Sequence, residues 1–212
     1  MLAATDIYRW LMQPGERNAC DAFDAHVVAC VFALALEATQ QGIELTESTG
    51  LTSDEMLSWF VPLFPHAEHV LSRAPPQATV VVAEDEAMLR DLLFGGSSEG
   101  SELERNLAKI VARRCQRPNH LWQDLGLRNR RELSWLMTRH FEPLATRNKN
   151  DMKWKKFLYR AICRDTNFSL CPAPVCSECD DFDGCFGDEA GESLLSAALP
   201  ALDSATKTGE SR

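Results

Sequence analysis

The chain has no uninterrupted apolar run long enough to cross a bilayer. Its longest, Val27 to Ala35, falls far short of the ~20 residues a hydrocarbon core requires and reads as part of a core helix. The N-terminal text MLAATDIYRWLMQPGERN lacks a basic stretch followed by an apolar one, so no secretory signal is expected and the expected location is cytoplasmic. A Gly-rich phosphate loop is missing as well, because Gly95-Gly96 continues as Ser97-Ser98 instead of the GxGxxG pattern. No serine, histidine and aspartate set follows from spacing, and a catalytic function is not expected. Alternation with a period of two is confined to Ala78–Ala83 (ATVVVA), brief and without a partner run. No internal repeat occurs.

What is present is helical periodicity. Residues 22–39 are rich in Ala and Leu. Thr52 and Glu55 form a capping box, and Leu51 and Met56 stand at the two positions of a hydrophobic staple. Residues 101–115 put Leu103, Leu107, Ile110 and Val111 on one face. Asn129 and Glu132 open the next helix, whose stripe runs Leu133, Leu136, Met137, His140, Phe141, Leu144, with Pro143 expected to end or bend it. Residues 151–165 separate an apolar face (Trp154, Phe157, Leu158, Ala161, Ile162) from a basic one (Lys153, Lys156, Arg160, Arg164). The class is all-α. A helical domain over residues 1–166 is expected, followed by a cysteine-rich loop at 167–188 packed on it and a flexible tail at 189–212, small and polar in composition.

The net charge of −9 is unevenly distributed. Arg105 to Arg164 holds 16 Lys/Arg against four acids, and the rest of the chain holds six against 27. A basic centre in an acidic protein suits attraction to a local anion or an acidic partner, or else merely solvated helix faces.

Eight cysteines in a chain expected in a reducing compartment point to metal or redox chemistry before disulfides. Cys20, Cys30 and Cys115 fall in helical text and read as small core hydrophobes. Residues 171–185, CPAPVCSECDDFDGC, are different: Cys171, Cys176, Cys179 and Cys185 stand in a C-x4-C-x2-C-x5-C pattern. Pro172 and Pro174 disfavour regular helix, so the backbone can wrap around a site. The loop has four acids and no base. Four thiols beside four carboxylates gain nothing by themselves, whereas a bound cationic cluster would deprotonate the thiols and offset the charge. Zinc sites prefer two separated C-x2-C knuckles, and here only one exists. C-x4-C-x2-C opens plant-type iron–sulfur sites, though the fourth cysteine there lies much further on. Spacing favours an iron–sulfur or mixed-metal cluster, with structural zinc and disulfide or redox pairs as the alternatives.

The segments HLWQDLGL, LSWLMTRHF, LATRN and DMKWKKFLYR, with the cysteine pattern ending CFG, run from His120 to Gly187. In this order they resemble the NifQ family. FDAHVVACVFALAL and LTSDEMLSWFVPLFP are similar too, though such amphipathic text is less specific; residues 66–100 add nothing. The resemblance implies a non-catalytic metallochaperone of nitrogen fixation. It would hold an iron–sulfur cluster that incorporates molybdenum, with molybdate as the source. It would donate the metal to the nitrogenase cofactor scaffold complex with the nitrogenase iron protein participating. Cys171, Cys176, Cys179 and Cys185 carry over as the metal ligands.

Further ligands are candidates only. Cys163 falls on the side of Lys156 and Arg160; His120 opens an amphipathic turn; His140 lies in an apolar stripe, where a hydrogen-bonded core histidine is the commoner outcome. His26, inside an apolar helix, reads as structural. The basic face Lys153, Lys156, Arg160, Arg164 leads into the cysteine loop and is expected to attract molybdate or balance the cluster, beyond complementing the helix dipole. The main alternative is an iron–sulfur or zinc-dependent DNA-binding regulator, because LWQDLGLRNRRELSWLMTRHF puts two helical stretches around Gly126 with Arg128, Arg130 and Arg131 nearby. The acidic net charge and the broad apolar stripe of the second helix argue against it, and neither nucleic acid nor membrane is expected as a partner.

Overall fold

A helix apolar on every side must be enclosed by others, and Ala22–Thr39 is such a helix: its only charges are Asp24 and Glu37, and burial runs without a break from Asp24 to Ala33. In the computed structural model, which describes residues 2–13, 21–71, 80–165 and 182–196, this helix (α2) is the centre of the fold. It is the one described helix whose length and composition would suffice to cross a membrane, and two thirds of it is buried by the rest of the chain. Around it lie α1 (Ala4–Leu11), α3 (Leu45–Thr49), α4 (Ser53–Leu63), α5 (Glu68–Leu71), α6 (Glu84–Gly95), α7 (Glu102–Cys115), α8 (Leu121–Asp124), α9 (Arg130–His140), α10 (Glu142–Ala145), α11 (Trp154–Asp165) and α12 (Phe182–Phe186). The described chain is helical with no strand, in keeping with the all-α expectation. Val80–Ala83, the described part of the strand-like run, is irregular.

Local signals set the helix ends. The Thr52 hydroxyl accepts from Glu55 N at 3.3 Å and the Glu55 carboxylate accepts from Thr52 N at 3.0 Å, while Leu51 and Met56 are buried behind this box. Ser101 and Glu104 start α7 in the same way. Asn129 caps α9 through Glu132 N at 3.1 Å, but the Glu132 carboxylate turns to Arg128 N at 2.8 Å, so this box is only half closed. The break after α9 comes at Phe141, and Pro143 opens α10 in the first turn, where its missing N–H costs nothing.

α2 packs on α1 and α3, α7 on α6, and α11 on α6. Phe32 of α2 stacks on Phe60 of α4 with centroids 4.2 Å apart, and Phe64 continues the aromatic row. Cys30 and Cys115 are core hydrophobes, as their helical settings predicted. Burial pushes the Cys115 thiol up to about 12, and burial, with the nearby Glu132 charge, holds Cys30 well above its ordinary value.

A polar seam runs through this core. His26 of α2 meets the Tyr8 hydroxyl of α1 at 2.8 Å and Glu132 of α9 at 3.3 Å. Nearby, His140 Nε2 meets Asp24 at 2.9 Å, and its Nδ1 lies 4.0 Å from Glu104. Burial favours the neutral Glu132 carboxyl, but hydrogen bonds from His26 and Arg128 N and the charges of both outweigh it, so its pKa stays below the usual carboxylate value.

Many bases of the central segment are consumed internally by acids from elsewhere in the chain. Arg113 pairs with Glu86, which Arg90 from outside the segment also holds, Lys109 pairs with Glu55, and Arg139 pairs with Asp21 and Asp24. Lys155 holds Asp124 within the segment itself. Part of the sequence's charge asymmetry is thus internal complementarity.

Residues 189–196, expected to begin a flexible tail, are anchored to the helices through Ser193 and Leu195. Leu195 is fully buried against Leu34 and Gly126, Gln123 Nε2 donates to the Glu192 carbonyl at 3.0 Å, and Ser193 Oγ donates to the Gly126 carbonyl at 3.4 Å. The rest of the expected tail, 197–212, lies outside the described residues.

Candidate metal centre

Cys185 is the member of the cysteine quartet whose surroundings are described; Cys171, Cys176 and Cys179 lie outside the described residues. Cys185 is half-buried near the end of α12, and its carbonyl accepts from Lys153 N at 2.8 Å. That bond seats the end of the cysteine motif on the entrance to α11. Four residues on, Glu189 is half-buried with its side chain enclosed, its Oε1 at 3.5 Å from Arg130 and 3.7 Å from His120 Nδ1, and its Oε2 has no hydrogen-bond partner. Arg130 also donates to Asp151 and to the Asp151 and Met152 carbonyls at 2.6–3.1 Å. The start of α11, the start of α9 and the chain after α12 therefore meet at Arg130 and Glu189.

The structure brings some predicted residues to this junction and not others. His120 is there, half-exposed, as the residue preceding α8, with its N–H bonded to the Gln123 side chain at 3.2 Å. His140 is in the seam with Asp24, among α2, α7 and α9. Cys163 is buried in the core cluster near the far end of α11, ten residues or about 15 Å of helix beyond Lys153. Lys153 is half-buried, Lys156 exposed and Arg160 half-buried along α11; the Arg164 side chain lies outside the described residues. Among the described residues no three His, Cys, Asp or Glu side chains are grouped as a metal site.

Sequence reasoning missed Glu189. One carboxylate in small polar text carries no period, and its partners stand 59 and 69 residues away. The donor set itself suits a soft metal cluster: four closely spaced thiols, the described one half-buried beside Lys153, whereas burial keeps the Cys30 and Cys115 thiols protonated and unfit as ligands.

The helix-turn-helix alternative does not match the fold. α8 is a single turn, α9 buries Leu133, Leu136 and Met137, and Arg128 and Arg130 are engaged with Glu132, Asp151 and Glu189.

The family model NifQ matches residues 27–187, from the central helix to the residue after α12. The chain belongs to the NifQ family. A protein NifQ homolog of Sinorhizobium fredii is 40% identical over 172 residues, covering 81% of this chain and 75% of that protein. Protein NifQ of Rhodobacter capsulatus is 40% identical over 105 residues, 50% of this chain and 58% of the relative. Protein NifQ of Azotobacter vinelandii is 41% identical over 101 residues, 48% and 52%. The chain thus spans about three quarters of the first of these and between half and three fifths of the other two. No solved structure matches it. NifQ proteins take part in biosynthesis of the nitrogenase iron–molybdenum cofactor.

Proposed function

We propose that this protein is a non-catalytic metallochaperone of nitrogenase cofactor assembly. It carries an iron–sulfur cluster that incorporates molybdenum on Cys171, Cys176, Cys179 and Cys185, and it donates molybdenum to the cofactor scaffold complex with the nitrogenase iron protein taking part. The cluster is cargo, assembled and passed on. Soft thiolate ligands suit a metal that arrives as an oxyanion and leaves bound to sulfur. Lys153, Lys156, Arg160 and Arg164 offset the negative charge of the cluster and of the acids in the loop.

The observation that carries this reading is the seating of Cys185. The last cysteine of a compact four-thiol motif, within a NifQ family match, is pinned by the Lys153 amide to the head of a basic helix. His120 is the further ligand candidate that lies beside this segment.

Anaerobic purification followed by analysis for iron, molybdenum, sulfide and zinc tests the reading. Brown protein containing iron, sulfide and molybdenum is expected. Stoichiometric zinc without iron would overturn it.

A further inference from the structure

We propose that the cleft between the 147–152 loop and α11 binds a tetrahedral oxyanion beside the cysteine centre. The cavity measures about 330 Å³ and is lined by Arg147, Asn148, Lys149, Asn150 and Met152 from the loop and by Arg160, with Phe157 and Ala161, from α11. Three cations and two carboxamides converge on it from two elements, and no carboxylate lines it.

The loop is built to keep that charge in place. Asn148 bonds Met152 twice, donating to its carbonyl at 2.8 Å and accepting from its amide at 2.9 Å. Asp151, the one acid of the loop, sits at a φ of 52° with its carboxylate drawn to Arg130 at 2.8 Å, so it does not neutralise the cleft. Lys109, Arg113, Arg128, Arg130, Arg139 and Lys155 of the central segment are held in ion pairs, whereas Arg147 and Lys149 have no ion-pair partner among the described residues. The N–H groups of Lys149 and Asn150 likewise have no acceptor among the described residues. The Asn148 bonds hold the loop backbone in place, so binding orders side chains and not the loop, and the forked guanidinium matches the paired oxygens of a tetrahedral anion.

Position links the cleft to Cys185, the described member of the quartet. Arg160 lies seven residues along α11 from Lys153, the residue that holds Cys185, a rise of about 10 Å. The inference rests on the metallochaperone reading for its purpose, since it gives molybdate a place to wait next to the thiolates, but the binding itself uses no cysteine.

Equilibrium dialysis of the full chain against molybdate alone, at low ionic strength, tests it. Saturable binding is expected, with Arg147→Gln/Lys149→Gln weakening it about tenfold or more. Both side chains are exposed, so the melting curve should not move. A control that removes the same charge elsewhere, Arg9→Gln/Arg105→Gln, should bind as the natural chain does, and equal weakening would mean that only the overall field mattered. The Cys171→Ser/Cys176→Ser/Cys179→Ser/Cys185→Ser variant should keep the binding; loss there assigns the anion to the thiols and overturns the cleft, while the metallochaperone reading stands. Conversely, a chain that binds the anion through Arg147 and Lys149 yet purifies with zinc alone keeps the cleft and loses the cluster. Competition by sulfate assigns the site to tetrahedral dianions in general, and its failure to compete assigns it to oxometallates, both within the proposal. No binding, or binding indifferent to Arg147→Gln/Lys149→Gln, refutes it.

Discussion

Replacing Gly126 by Ala should destabilise the whole domain by an amount that can be worked out in advance. Gly126 has a φ of +75°, and an added Cβ would stand 3.1 Å from Leu195 Cδ1, 3.1 Å from Leu34 Cδ1 and 3.2 Å from the Cys30 carbonyl oxygen. The left-handed backbone costs an L-residue about 1–2 kcal/mol. Crowding in a packed core adds about 1–3 kcal/mol, because the carbonyl belongs to the central helix and cannot give way as a side-chain methyl can. The loss should therefore be roughly 2–5 kcal/mol, or a fall in Tm of about 5–15 °C for a chain of this size. Urea unfolding followed by circular dichroism measures it. In a Leu195→Ala background one of the three contacts is gone, so the same substitution should cost less while its backbone share persists. A loss below about 0.5 kcal/mol in the natural background would refute the left-handed turn at Gly126 against the central helix, and an undiminished loss in the Leu195→Ala background would refute the packing of Leu195 on that turn.

Other expected outcomes can be checked in parallel. Glu132→Gln should cost about 2–4 kcal/mol, because His26 keeps its burial and loses its carboxylate. The folded pKa of Glu132 lies below its ordinary 4.5, so its contribution is whole above that pH and drains away as pH falls through it; the acid limb of a stability–pH curve should be shallower in the variant. Thr52→Ala and Ser101→Ala should each cost about 1 kcal/mol in denaturant titrations by removing a capping hydroxyl. Cys115, with a pKa pushed up to about 12, should resist iodoacetamide at pH 8 in the native state and react once the chain is unfolded in urea.

Much of this fold is legible in local text because its signals are local. Thr52 with Glu55 marks a helix start within four residues, and the Leu133, Leu136, Met137, His140 stripe states which face of α9 turns inward. What escapes sequence reasoning depends on partners far along the chain. Glu132 reads as a capping residue, yet its carboxylate serves Arg128 and His26, the latter 106 residues away. Leu195 stands beside Leu194 in small-residue text, and nothing in the spacing says that the first of the two is half-exposed and the second fully buried. The basic centre reads as an anion-seeking surface, while several of its charges, those of Lys109, Arg113, Arg139 and Lys155 among them, are met by acids whose pairing no spacing reveals. For the candidate site the balance reverses. The cysteine pattern is legible without a fold because its ligands are close in sequence, whereas Glu189, Arg147 and Lys149 come into view only when α11, α12 and the 147–152 loop are placed together.

The most direct test of the cysteine quartet compares Cys185→Ala with Cys30→Ala after anaerobic reconstitution with iron, sulfide and molybdate, reading acid-labile sulfide and both metals per chain. Loss of sulfide and metal in Cys185→Ala, with Cys30→Ala loaded like the natural protein, is the expected result. Full loading of the Cys185→Ala protein would contradict the assignment of the cluster to these thiolates.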